Sequence, residues 1–313
     1  MTTFATYFLI FLGGLVRVSG AGLGCPDWPR CYGLWIPPTD ISQIDPAKLP
    51  VGFDVSSFNP VLTWIEYINR LVGVVIGFLI LGMAMLALKN FRKHPKVLVP
   101  SLAAAVLVAF QGWFGSIVVK YQLKPIAVTV HLLIALVIIS ILIYAALQAY
   151  FLEQPESEQK AVYPKKSHWI LGLWVATILQ VVMGTVVRAV LEGLRETMPL
   201  ATEFEWMESA RAVGILHGVF GVGVAASAGF ICYRLLKESV PSPLVRRSLL
   251  AMMALMLSQV LLGHALVFIG MPALLQVFHQ WVASLQIGLL LIVYSVLKQA
   301  APNAQPYLKS QTA

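Results

Sequence analysis

Runs of about 20 apolar residues, each closed by a short polar break, recur from one end of the chain to the other. They fall at 5–22, 62–88, 97–120, 125–150, 167–190, 207–236, 245–269 and 273–298. A helix of that length rises about 30 Å, the thickness of a bilayer's hydrocarbon core. Inside lipid every backbone N–H and C=O must be satisfied within the protein, so spans of this length are helices. The pattern predicts an all-α membrane protein with eight transmembrane helices. The first run lacks a basic leading segment and contains Gly13, Gly14 and Arg17, so it is expected to persist as a helix and not to act as a cleaved signal peptide.

Composition supports this reading. Of 313 residues 58% are hydrophobic and 12% charged, with a mean hydropathy of +0.80; a soluble domain carries about twice that charged fraction. Much of the net charge of +8 is clustered. Lys89, Arg92, Lys93 and Lys96 join the second and third runs, and Lys160, Lys165 and Lys166 join the fourth and fifth. Arg234, Lys237, Arg246 and Arg247 join the sixth and seventh, and Lys298 and Lys309 lie at the tail. Short basic connections stay in the cytoplasm. The expected setting is the cytoplasmic membrane, with both termini inside. The long loop 18–61, the acidic loop 191–206 and the remaining turns then face outward. The positive charge reads as topology, and no nucleic-acid-binding motif accompanies it.

The chain also repeats itself. A shift of 148 carries His131 onto His279, Gln111 onto Gln259, Gly115 onto Gly263, Gly73 onto Gly221, Ala135 onto Ala283, Pro95 onto Pro243 and Lys89 onto Lys237. Gly13 and Arg17 fall on Gly184 and Arg188 at a shift of 171, the difference lying in the longer first loop. Generic packing explains matched Gly and Ala, but not matched Gln, His and Arg in lipid. The expected plan is two parallel four-helix-bundle repeats: 1–150, a cytoplasmic linker at 151–166, and 167–313.

Within that register the even helices carry Asn69, His131, His217 and His279 at one depth, each followed four residues later by Gly73, Ala135, Gly221 or Ala283. Residues four apart share a helix face. A bare patch one turn from an imidazole suits a porphyrin ring, and heme iron takes axial His. The bland alternative is a His satisfied by its neighbouring helix. Three in register favour heme ligation, since ionisable groups in membranes tend to be functional. His217 and His279 would close both axial positions of a resident heme. His131 and Asn69 offer one imidazole, which suits a heme that enters and leaves. His264 falls on Ser116 in the repeat and receives no ligand role, while His94 and His168 sit at inner helix ends.

Glu66 lies one turn before Asn69, and its repeat equivalent is Gly214. It is a candidate acid–base group beside the first-half site, or else the i+4 ion-pair partner of Arg70. Glu208 reads as a solvated loop charge. Arg17 and Arg188, at outer helix ends, are candidates for heme propionates or for snorkelling to the interface. Cys25 and Cys31, in Cys-Pro-Asp-Trp-Pro-Arg-Cys, favour a disulfide over free thiols on an outward loop. Cys232 reads as inert packing.

The string Gly13-Gly14-Leu15-Val16-Arg17-Val18-Ser19-Gly20-Ala21-Gly22-Leu23-Gly24-Cys25-Pro26-Asp27-Trp28-Pro29-Arg30-Cys31 resembles the first-loop signature of the heme A synthase family. Glu66-Tyr67-Ile68-Asn69-Arg70 resembles that family's Glu-x-x-His-Arg, with Asn in place of His, and His131, His217 and His279 fit its remaining ligands. The resemblance implies heme b in the second half and substrate heme O in the first. It further implies Glu66 as catalytic acid–base residue and conversion of a porphyrin methyl to a formyl by successive hydroxylations, giving heme A for terminal oxidases. The heme O synthase and a terminal-oxidase assembly pathway become candidate partners. Two other classes share parts of this pattern: a non-catalytic b-type membrane cytochrome and a heme carrier.

The orientation is directly testable. A thiol introduced as Lys93→Cys should react with a membrane-impermeant maleimide only in inside-out vesicles. Labelling of intact cells at that position would invert the topology.

Overall fold

Helices in this chain begin at residues suited to a first turn. The computed structural model describes residues 1–49, 55–153, 167–237 and 243–299. Helix α2 (Pro60–Asn90) opens on Asn59, whose side chain accepts the Val61 and Leu62 N–H groups at 3.0 and 3.2 Å. Pro60 fills the next position, where a missing N–H costs nothing. Proline also starts α3 (Pro95–Lys120), α4 (Pro125–Glu153) and α8 (Pro243–Ile269). The others are α1 (Thr2–Val18), α5 (Ser167–Thr197), α6 (Glu203–Ser209), α7 (Arg211–Lys237) and α9 (Ala273–Gln299).

Among the described residues, seven of these nine helices, α2 to α5 and α7 to α9, are long and apolar enough to cross a membrane. The chain is thus an all-helical, multi-pass membrane protein. α1 is apolar but has 17 residues, about 25 Å of rise. It stops short of the expected residue 22 because Gly20 adopts a left-handed φ of +74°, a conformation glycine takes without a Cβ clash. The helix expected at 207–236 is divided at Ala210. Thr202 and Glu205 form a reciprocal capping box that starts the short α6, and α7 begins anew at Arg211. α5 continues to Thr197, so part of the expected acidic loop is helical. Residues 151–153 of the expected linker belong to α4. The rest of that linker, with Lys160, Lys165, Lys166 and also Lys309, lies outside the described residues.

Packing follows chain order. α1, α2, α3 and α4 touch in a closed ring, and so do α5, α7, α8 and α9. α9 also meets α1 and α4, and half of its apolar stretch is buried inside the molecule, against at most 28% for any other span. It is therefore the central helix. Ile10, Ile139 and Ile143 pack with Tyr7 and Trp281 at this junction, where the Trp281 indole donates to the Tyr7 carbonyl at 2.9 Å. Phe78, Val106, Val219 and Phe268 are exposed on the outer faces. Lipid tails are as apolar as these side chains, so nothing drives such residues inward.

The loop after α1 folds as a lid-shaped knot on the start of α2. Cys25 and Cys31 form a disulfide with Cα atoms 4.8 Å apart and are buried with Tyr32 and Ile44. Asp27 accepts the N–H groups of Tyr32 and Gly33 at 2.6 and 2.9 Å. The Thr63 hydroxyl donates to the Gly24 carbonyl at 2.8 Å. A Cβ on Gly24 would stand 2.6 Å from the Leu62 carbonyl oxygen and 2.9 Å from the Thr63 nitrogen. Because that wall is backbone, Gly24→Ala should unseat the loop at a cost of about 2 kcal/mol. Limited proteolysis should then cut between residues 19 and 49 faster than in the parent; unchanged cleavage would show that the contact is dispensable.

Candidate functional site

Three imidazoles share one environment. His131 on α4, His217 on α7 and His279 on α9 each lie over a glycine of the preceding helix in their ring. A Cβ on Gly115, Gly184 or Gly263 would stand 3.7, 3.2 or 3.5 Å from the respective ring Cε1. The neighbouring helices leave one nitrogen of each ring unsatisfied, which weighs against the bland reading. Nδ1 of all three is buried without a hydrogen-bond partner among the described residues. Among the described residues the one polar approach to these rings, Gln180 Nε2 to His217 Nε2, is 3.4 Å, too long for a good hydrogen bond. What the neighbouring helices satisfy is the backbone. Gln111, Gln180 and Gln259 donate their side-chain amides to the carbonyls of His131, His217 and His279 at 2.9, 2.9 and 2.7 Å.

His217 and His279 face each other with ring centroids 6.3 Å apart and planes at 73°. Two imidazoles on opposite sides of one metal, each nitrogen about 2 Å from it, have centroids roughly 6 Å apart. Among the described residues no three His, Cys, Asp or Glu side chains gather as a bare metal ion would need. The pair therefore fits a metal that brings its own equatorial donors, which is what a heme does. His131 has no such partner. Its ring stacks on Phe114 at 6.1 Å, and Asn69 presents a buried, unpartnered Oδ1.

The bare patches read from the sequence are in part occupied. A Cβ on Gly221 would meet the Gln180 amide nitrogen at 2.6 Å, so this residue is small to admit the glutamine. Gln111 and Gln259 were visible as matched polar positions without a role. Gln180 escaped notice because its repeat equivalent is Leu9. The shared spacing Gln-x-x-x-Gly at 111–115, 180–184 and 259–263 is the signal that would have revealed it.

Glu66 is buried and does pair with Arg70. Arg70 gives Nε and Nη2 to Glu66 Oε1, and its remaining donors reach the carbonyls of Cys25, Asp27 and Arg30 at 3.2, 2.8 and 3.1 Å. Glu66 Oε2 accepts the Cys25 N–H at 2.7 Å. The Glu66–Arg70 pair thus ties α2 to the disulfide loop. Arg17 and Arg188 both bind one carboxylate that sequence reasoning missed: Glu192 takes Arg17 Nη2 at 3.0 Å and Arg188 Nε at 2.8 Å. This pairing joins α1 to α5. Glu208 pairs with Arg211 at the surface, and His264 turns its Nδ1 to the Val260 carbonyl, apart from the three-histidine set.

These features define a class: a multi-pass helical membrane protein whose two rings of helices carry three imidazoles, each with a buried Nδ1 lacking a partner among the described residues. Comparison with known sequences makes the class specific. The profile of the COX15-CtaA family, described as cytochrome oxidase assembly protein, matches residues 1–292, and the chain belongs to that family. The chain is 37% identical over 143 residues to a heme A synthase of Shewanella oneidensis, covering 46% of this chain and 42% of the relative. It is 28% identical over 209 residues to one of a Wolbachia from Brugia malayi, covering 61% and 62%. A third, from Exiguobacterium sibiricum, is 27% identical over 191 residues, covering 60% and 57%. The matched stretches thus span about half the length of these curated relatives.

Arg70 provides a clean test of the loop tie. Arg70→Leu leaves the Glu66 carboxylate buried without its counter-charge and should cost about 3 kcal/mol or more. Arg70→Lys keeps the charge but cannot reach three carbonyls and should fall between. Thermal unfolding in detergent checks both; a Leu variant as stable as the parent would show that the tie carries no stability.

Proposed function

We propose that this chain is a heme A synthase, built as eight transmembrane helices in two four-helix repeats. In this reading 167–313 holds a resident heme b between His217 and His279, and 1–150 receives heme O at His131 and returns heme A. The observation that carries it is the His217–His279 pair, with ring centroids 6.3 Å apart and each Nδ1 buried without a partner, set against a first half with one imidazole. The family membership and the names of the relatives support the activity.

The chain's own residues have distinct tasks. His217 and His279 would hold the cofactor, which would supply electron transfer there. His131 holds the substrate from one face, so product leaves by losing one protein ligand. When bound, the hemes supply the redox chemistry that carries a ring methyl to a formyl group. Glu66 accepts protons released as that methyl is oxidised. Its Oε1 is taken by Arg70, so Oε2, which also meets the Cys25 N–H, is the oxygen that receives them. Arg17 lies at the end of α1, and Arg188 lies within α5, which runs on past it to Thr197; either guanidinium, shared with Glu192, serves heme propionates. The sites face outward, both termini are cytoplasmic, and the heme O synthase and terminal-oxidase assembly lie on either side of the reaction.

Pigment extraction from purified protein, expressed with and without a heme O supply, tests the reading. Heme A should form only with the supply; a b-type cytochrome or carrier forms none. His217→Ala or His279→Ala should lose the low-spin heme b signal. Glu66→Gln keeps size but cannot accept a proton at neutral pH. It should retain heme b while conversion of heme O falls about 100-fold. Parental conversion by Glu66→Gln would leave the residue only its tie to Arg70.

A further inference from the structure

The histidines and glutamines occur as one repeated unit. On the donor helix stands Gln-x-x-x-Gly, and on the acceptor helix His-x-x-x-small. Gln111 and Gly115 face His131 and Ala135; Gln180 and Gly184 face His217 and Gly221; Gln259 and Gly263 face His279 and Ala283. Each fit is reciprocal: the glutamine amide grips the histidine's own carbonyl, and the imidazole lies on the glycine. A carbonyl inside a helix already accepts the N–H four residues on, and that residue must be small for a second donor to approach. Gly221 shows this most directly, because a Cβ there would collide with the Gln180 amide.

The fourth unit has the same spacing but lacks both polar members. Leu9 stands where Gln180 stands, and Asn69 where His217 stands, while Gly13 and Gly73 remain. Leu9 Cδ2 lies 3.9 Å from a Cβ built on Gly73, the counterpart of the Gln180–Gly221 approach. Gly13 is exposed, and a Cβ built on it meets nothing within 4 Å, whereas the matching position at Gly184 is covered by the His217 ring. Loss of the ligand and loss of its grip coincide, and the space of the ring is left open.

We infer that Gln111, Gln180 and Gln259 are positioning residues that fix the three imidazoles through their backbone carbonyls, and that the Leu9–Gly13/Asn69–Gly73 unit is the open coordination face of the first-half site. Packing alone does not account for the pattern. A glutamine used only to join two helices has no reason to choose the carbonyl of the histidine in all three units, nor to vanish in the unit without one. The inference rests on the heme reading above and specifies which face of the substrate site is free of protein ligand.

The experiment uses the full-length protein purified with its heme b. Leucine is already accommodated at position 9 in the same register, so Gln180→Leu and Gln259→Leu are expected to fold. Each should shift or partly convert the low-spin electron paramagnetic resonance signal. Release of heme b to excess apomyoglobin should quicken about three- to tenfold, the weight of one hydrogen bond. Gln111→Leu should leave both readouts at parental values and weaken binding of hemin titrated into the first half by a similar factor. In the opposite direction, Leu9→Gln/Asn69→His should turn added hemin into a second low-spin species, and Asn69→His alone should do so less completely. If Gln180→Leu and Gln259→Leu match the parent in signal and release, the glutamines only pack helices. If the double variant converts hemin no better than Asn69→His, the grip has no part in ligation. Retention of the heme b signal by His217→Ala and His279→Ala would instead reject the heme site itself, an outcome the glutamine variants cannot mimic.

Discussion

A polar atom inside a membrane bundle has no water to fall back on, and the protein must either satisfy it or leave it for something that arrives. That constraint sorts the interior of this chain. The glutamine amides have carbonyls, Arg70 has a carboxylate and three carbonyls, and Arg17 and Arg188 share Glu192. Nδ1 of His131, His217 and His279 is buried and unpaired, and so are Asn69 Oδ1 and the side-chain oxygens of Gln111 and Gln180. These unpaired atoms include the groups that the proposed function assigns to heme.

The same sorting explains the frame around those groups. Near the histidines α1 to α4 and α5 to α9 meet through small residues and amide grips. Farther along, Ile170, Leu235, Leu249, Met252 and Leu290 form an apolar core in the second ring. The disulfide loop adds cover over the first ring, and its attachment through Glu66 and Arg70 makes the candidate acid–base group part of the lid's anchorage.

Much of this was legible in the residues. Polar side chains that are costly in lipid stand out against apolar runs, so His131, His217 and His279 and their shared register could be read directly. The apolar runs placed the starts of α2, α3, α4 and α8 to within about two residues of Pro60, Pro95, Pro125 and Pro243. The division at Ala210 was hidden because Trp206 and Met207 extend the apolar pattern across it, and only the Thr202–Glu205 capping box reveals the separate start. The small residue after each histidine was read as room for a flat ring, whereas at Gly221 the room is filled by Gln180. Glu192 was unreadable as the partner of Arg17 because 175 residues separate them, and no local spacing records a contact between helices that far apart. Glu66 illustrates a further limit: spacing alone admitted both the ion pair and the proton acceptor, and the geometry assigns the pair without removing the other.

Glu192 also says something about how the two rings depend on each other. At the shift of 171 that relates Arg17 to Arg188, its counterpart is Ala21, which is buried and carries no charge. One carboxylate, four residues beyond its own arginine, serves the arginine of the other ring as well. The dependence therefore runs in one direction. The second ring carries its neutralising charge within itself, whereas the first borrows it across the interface. Without α5, Arg17 would lose its carboxylate, whereas Arg188 would keep the same carboxylate in the absence of α1. In this respect the two rings are unequal, because one carboxylate on α5 serves the arginines of both.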